Sequence, residues 1–295
     1  MSLSFEKISD NDLALAIDIE DGTIIYYHED EEEEDERELP SLTEIEEEKV
    51  NEILDDYNRW VKYRKPQLEH YKKIKREIEE NVNKCVEIRG VNLFPLPLNC
   101  EFETQIQHLH CTGQQGVGKS YFTAQYIGLY HEKYPDNDIY MFSMKNSDEA
   151  YDDFKFLLRI KLDEDFLNAE INLEDVHDAL MIFDDIEQII HEGIRKKVHL
   201  LRNAIAETGR SQKIYIISIT HQCMNYNKTK VINQEMTAMI IFPRSTKHHN
   251  KTLLNKYSNL HKTDVDNILA LKTRWVYVNK NWPNYLITKK KIELI

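Results

Sequence analysis

Cysteine is scarce in this chain, and Cys85, Cys100, Cys111 and Cys223 stand without C-x-x-C spacing. That argues against a disulfide framework or a cysteine zinc site and predicts idle thiols in a reducing compartment. No apolar run approaches the roughly 18 residues needed to cross a bilayer. The first residues also lack the basic-then-apolar order of a secretory signal, so neither a membrane span nor a leader is expected. No internal repeat is visible. What is present is 41% hydrophobic residues in a chain of 295, which suits one large globular domain with an appendage.

The net charge of −14 is unevenly spread. Residues 1–55 hold 21 Asp/Glu against Lys7, Arg37 and Lys49, a local balance of −18, which leaves +4 for the remainder. From Arg210 onward, 15 Lys/Arg face four acids. An acidic head on a basic tail fits a polyanion-binding domain with a repelling or regulatory appendage, the alternative being a merely soluble surface.

Along the chain, Leu13–Ile19 and Thr23–Tyr27 flank Asp21-Gly22 and predict a small β-hairpin. The eight consecutive carboxylates Glu29–Glu36 have nothing to bury, so residues 28–40 are expected to be disordered. Ser41-Leu-Thr-Glu44 forms a capping box opening an amphipathic helix, and a second helix is expected after Pro66. Residues 1–84 therefore read as an acidic N-terminal appendage and 85–295 as the main domain. There, short apolar runs alternate with helical patterns, the sign of an α/β fold on a parallel sheet. Strands are expected at Gln105–Cys111, Ile139–Met144, Leu180–Phe183, Ile214–Thr220 and Thr237–Phe242. A helix near Asp264–Leu271 and a hairpin of Trp275–Val278 with Tyr285–Thr288 complete the reading.

Between the first of those strands and a helical stretch lies Gly113-Gln114-Gln115-Gly116-Val117-Gly118-Lys119-Ser120, which spells G-x-x-x-x-G-K-S. Glycines let such a loop turn its N–H groups onto phosphate oxygens while the following helix presents its positive dipole end. Lys119 reaches the β- and γ-phosphates, and the Ser120 hydroxyl takes one position on Mg²⁺. The apolar run Ala179–Phe183 then ends in Asp184-Asp185. Side chains alternate along a strand, so Asp184 is assigned to the metal and Asp185 to the attacking water, with Glu187 as competitor for that second role. A solvated strand end or a helix cap is the plainer reading of paired acids.

The run Ile214–Thr220 ends in His221-Gln222, and a Gln at such a position can contact the γ-phosphate or the water. On the preceding helix, Ile194, Val198, Leu201 and Ile205 form the buried face, which leaves Arg195, His199 and Arg202 on an exposed stripe. Gly209 is the expected C-cap, with Arg210 opening the next loop. Arg202 or Arg210 can then act on a neighbouring subunit's phosphates, with salt-bridge roles as the alternative.

Taken together, GQQGVGKS, LMIFDD, Glu207-Thr-Gly-Arg-Ser211 and IYIISITHQ resemble the poxvirus-type genome-packaging ATPases of large DNA viruses, in the FtsK/HerA superfamily of P-loop NTPases. Met239-Ile-Ile-Phe-Pro243 and Trp282-Pro-Asn-Tyr-Leu-Ile287 are similar to that family as well. The resemblance runs from about Val86 to the end, and this chain has Ser211 where the family has His. It implies a RecA-like core with sheet order 5-1-4-3-2, ATP and Mg²⁺ as cofactors, Gln222 as sensor, and a ring-shaped homo-oligomer around double-stranded DNA. Lys228, Lys230, Arg244, Lys247 and Lys251 would grip backbone phosphates from two loops. A capsid or capsid-vertex partner and a host-cytoplasmic assembly site follow from the same likeness. A replicative helicase or recombinase-like ATPase and a nucleotide-gated scaffold are the competing readings. ATP and GTP are not distinguished, because no base-specific motif is visible.

Overall fold

The computed structural model describes residues 2–29, 84–87, 92–98, 106–221 and 226–295. The acidic run from residue 30, the capping box at Ser41 and the helices expected up to residue 83 lie outside these.

The chain begins with β1 (Ser2–Ser4), β2 (Leu13–Asp18) and β3 (Ile24–His28), followed by β4 (Cys85–Glu87) and β5 (Leu93–Pro95). Strands β1, β3, β2 and β5 form a small antiparallel sheet in that order. The expected hairpin is there with a wider turn: Ile17 pairs with Ile24, and Gly22 takes the left-handed φ of +81° that the bend requires.

Next come β6 (His108–Thr112), α1 (Lys119–Lys133), β7 (Asp138–Ser143), β8 (Leu157–Lys161) and α2 (Glu164–Asn168). They lead to β9 (Ala179–Asp184), α3 (Glu192–Thr208), β10 (Ile214–Thr220), α4 (Tyr226–Glu235) and β11 (Ala238–Ile241). The chain closes with α5 (Lys247–Tyr257), α6 (Lys262–Ala270), β12 (Val276–Asn279), β13 (Tyr285–Ile287) and β14 (Lys291–Leu294). Strands β6, β9, β10 and β11 are buried along their whole length, as strands are when helices cover both faces of a parallel sheet.

All five predicted core strands form. The order 5-1-4-3-2 holds as the block β11-β6-β10-β9-β7, but the complete sheet differs, because it has ten strands. Strand β8 adds a parallel strand outside β7, and β12, β13, β14 and β4 continue antiparallel beyond β11. Register sets the site: Thr220 pairs with Thr112, and Ile219 with both Cys111 and Asp184, so β6, β10 and β9 end at one level. Ligands of open α/β sheets bind at that carboxyl edge.

One face of the sheet packs on α1 through Phe122, Tyr126, Ile127 and Tyr130, and the other on α3 through Ile194, Val198 and Ile205. The N-terminal strands join the first of these cores. Leu15, Ile25 and Phe94 are buried in it, and the Phe94 ring lies 4.6 Å from Phe122 and 5.5 Å from Trp275.

Candidate active site

The loop after β6 is anchored where Gly113 N–H donates to Thr220 O at 3.2 Å. Gly116 and Gly118 hold φ of +78° and +111°, values a side chain would strain. Helix α1 starts at Lys119 with no side-chain cap and no acid in its first turn, so its dipole and unsatisfied N–H groups remain open to an anion. Lys119 is only 7% exposed. Its ammonium donates to Gly113 O (2.7 Å) and Gln114 O (3.1 Å), and lies 3.1 Å from His221 Nδ1. Burial lowers its pKa, with Asp185 opposing that shift.

Asp184 ends β9, and Asp185 opens the following turn in a left-handed conformation, φ +51°. Asn and Asp accept that region more readily than other side-chain-bearing residues. The backbone reversal gives the two acids different neighbours while both line the same cavity. Asp184 accepts from Ser143 Oγ at 3.4 Å and faces Lys145 Nζ at 3.8 Å. Its pKa is raised, first by burial and then by the Asp185 charge. Asp185 Oδ2 meets His221 Nε2 at 2.9 Å, whereas its Oδ1 is buried without a hydrogen-bond partner among the described residues. With Lys119 donating to Nδ1, the ring donates from Nε2 to the Asp185 carboxylate.

A cavity of about 350 Å³ opens over these groups, lined by Lys119, Ser120, Lys145, Asp184, Asp185 and His221 among others. Glu187 does not line it. Its carboxylate accepts from Arg202 Nη1 at 3.0 Å, and burial raises its pKa while Arg202 opposes the shift. Arg202 corrects the sequence reading: it is fully buried, not exposed, and its guanidinium also reaches Ser218 and Asn203. It lies beside the apolar stripe of α3, and its pairing with Glu187 draws it under the helix toward the sheet. Arg195 donates to Ile189 O, and His199 is half-buried.

Gly209 is the α3 C-cap, though in right-handed rather than left-handed conformation. Glycine is needed because a Cβ would stand 2.6 Å from Ile205 O. Arg210 follows it near the start of β10, at the opposite edge of the sheet from the Lys119 loop. Gln222 lies outside the described residues. Lys228 and Lys230 are in helix α4 rather than a loop, and the side chain of Lys228 is not described. Arg244 sits in the turn after β11, exposed, and donates to Lys272 O. The same turn reaches the phosphate loop through Ser245, which pairs with Gln114. Lys247 and Lys251 are on α5, again a helix, and Lys251 is ion-paired with Asp266.

His221, Lys145, Tyr121 and Arg274 are the site neighbours that sequence reasoning passed over. His221 had a signal, standing beside Gln222 at the tip of an apolar strand. Arg274 had none, since it comes from the turn before β12, where its Nε donates to Val117 O at 3.1 Å.

The donor chemistry fits Mg²⁺: a hydroxyl at Ser120 and a buried carboxylate at Asp184, both lining the one cavity, are hard oxygen donors. No group of three or more His, Cys, Asp or Glu able to hold a metal occurs among the described residues.

No family model matches the chain. Among solved structures it is similar to the genome-packaging NTPase B204 of Sulfolobus turreted icosahedral virus 2 in complex with sulfate. That match has 14% identity and a TM-score of 0.44, and covers 63% of this chain and 96% of the other. It is similar also to the pCW3 conjugation coupling protein TcpA, with 13% identity and a TM-score of 0.44 over 70% of this chain and 65% of TcpA. Among curated proteins, it is 33% identical over 180 residues to the uncharacterized protein V3 of Sputnik virophage, covering 60% of this chain and 73% of V3. On that relationship, the chain belongs to the family of the virophage protein V3.

Proposed function

We propose that this chain is a Mg²⁺-dependent P-loop ATPase that drives double-stranded DNA into a viral capsid. The observation that carries the reading is the convergence of Lys119, Ser120, Asp184 and Asp185 on one cavity at the carboxyl edge of the parallel sheet. A triphosphate there meets the open N-terminus of α1 and the Lys119 ammonium. Ser120 and Asp184 would hold the magnesium, which supplies charge neutralisation on the phosphates when bound. Asp185 offers Oδ1 to the attacking water while His221 holds Oδ2, which fixes the carboxylate's orientation. Glu187 is committed to Arg202, so Asp185 is the preferred base.

The basic groups Arg244, Lys247 and Lys251 suit contact with DNA phosphates, and Lys228 and Lys230 belong to the same proposal. Ring assembly is proposed on the motif resemblance. Within it, Arg210, far from its own cavity, is the candidate for a neighbour's nucleotide, while Arg202 is too buried to be one.

The test is nucleotide turnover with and without duplex DNA, alongside particle mass. Wild type is expected to hydrolyse ATP, faster with duplex, without unwinding forked substrates. Lys119→Ala is expected to abolish triphosphate binding, and Asp185→Asn to keep binding while lowering kcat at least about 100-fold. Robust unwinding favours a helicase instead. Normal turnover by Asp185→Asn removes the assigned base.

A further inference from the structure

Tyr121 follows Ser120 on the first turn of α1, and the residue is 53% exposed beside the cavity. A large aromatic left open at the rim of a polar cavity is more informative than a lone surface Leu, because the cavity gives it something to meet. Near its ring lies the Arg274 guanidinium, with the central carbon 5.9 Å from the centroid. Arg274 is held in place by the bond to Val117 O, and it stands so close to Gly118 that a Cβ there would meet its Nε and Nη2 at 2.9 Å. Two flat groups from distant parts of the chain, one aromatic and one cationic, thus meet at the edge of the phosphate loop.

Connectivity decides what they face. Phosphates cradled by the loop and Lys119 place the γ end toward Asp184 and Asp185. The α-phosphate and ribose then continue past Ser120, along the start of α1. Tyr121 is the next residue. We infer that Tyr121 and Arg274 form the seat for the nucleobase end of the bound nucleotide, the base stacking on the phenol face with the guanidinium as its second flat neighbour. This rests on the triphosphate reading of the cavity. Stacking and cation–π contact recognise a π face rather than a hydrogen-bonding edge, so the seat accepts adenine and guanine alike and disfavours bare polyphosphate.

Calorimetric titration of the full chain with ATP, GTP and inorganic tripolyphosphate tests this. Wild type is expected to bind ATP and GTP within about threefold of each other, and both about tenfold more tightly than tripolyphosphate. Tyr121→Ala is expected to remove most of that tenfold advantage, leaving tripolyphosphate within about twofold of wild type, while Tyr121→Phe retains it. Arg274→Ala is expected to weaken both nucleotides more than tripolyphosphate. The seat is overturned if Tyr121→Ala leaves ATP affinity unchanged, or if either alanine variant weakens ATP and tripolyphosphate by the same factor. Wild type binding neither ATP nor tripolyphosphate overturns the phosphate site itself, and the seat with it, a pattern none of the other outcomes produces.

Discussion

His221 touches the phosphate-loop lysine with one ring nitrogen and the preferred base with the other. Its removal frees Asp185 Oδ2 and lets the carboxylate rotate away from the water, so His221→Ala is expected to lower kcat about 10- to 100-fold with little change in KM. Steady-state kinetics check this, and a rise in KM with unchanged kcat would instead assign His221 to ground-state binding. Arg202 and Glu187 call for a different measurement, because they are buried together away from the cavity. Arg202→Met strands a buried carboxylate and is expected to cost about 3–5 kcal/mol of stability. The double variant Arg202→Met/Glu187→Leu should recover much of that, as read from denaturant midpoints in a double-mutant cycle. The expected exposure of Arg202 failed for a physical reason. Helical spacing alone places it beside the apolar stripe, and the buried acid that draws it inward comes from another element.

Strand β6 carries two histidines, His108 and His110, into the centre of the sheet. Burial lowers their pKa values to about 4 and about 3 respectively, even though His108 Nε2–H donates to Ile214 O and His110 meets Thr220 Oγ1. Each takes up its proton near pH 6.5 when unfolded but stays neutral in the fold. Stability is therefore complete above pH 6.5 and lost as pH falls. Each group subtracts about 1.4 kcal/mol per pH unit until its folded value is reached. Urea midpoints at pH 7 and pH 5 measure this slope, and His110→Asn is expected to flatten it. A slope unchanged in that variant would assign the acid sensitivity elsewhere.

At this same scale the parallel block was legible, since Ile214–Thr220 and Ala179–Phe183 are predominantly apolar runs of the kind a doubly covered sheet accommodates. Strand β8 was not. Leu157–Lys161 is an edge strand of mixed polarity, held by β7 along one side, and its pattern matches no burial template. Helix α4 was missed because Asn225-Tyr-Asn-Lys-Thr-Lys230 has the composition of a loop.

In the whole molecule, charge and packing divide the N-terminal region differently. By charge, residues 1–55 are one acidic block. By packing, Leu3, Leu15, Ile25 and Tyr27 belong to the core shared with α1. Each such buried side chain contributes about 1.5–3 kcal/mol. A deletion of residues 30–83 bridged by a short Gly/Ser linker is accordingly expected to keep a cooperative melt and ATP turnover. Deletion of 2–83 is expected to lower the melting temperature sharply or abolish folding. Thermal melts of the two truncations, with turnover measured on the first, decide the matter. Loss of turnover on removing 30–83 alone would favour a role for that stretch in the reaction cycle.

The stretch is also fastened at both ends, by β3 pairing to β1 and β2 before it and by β4 pairing to β14 after it. A single proteolytic cut between residues 29 and 84 would sever the polypeptide yet leave the two fragments joined through the pairing of β2 with β5 and the shared core, separating only under denaturant. Material that shows two bands on a denaturing gel would still sediment as one intact particle.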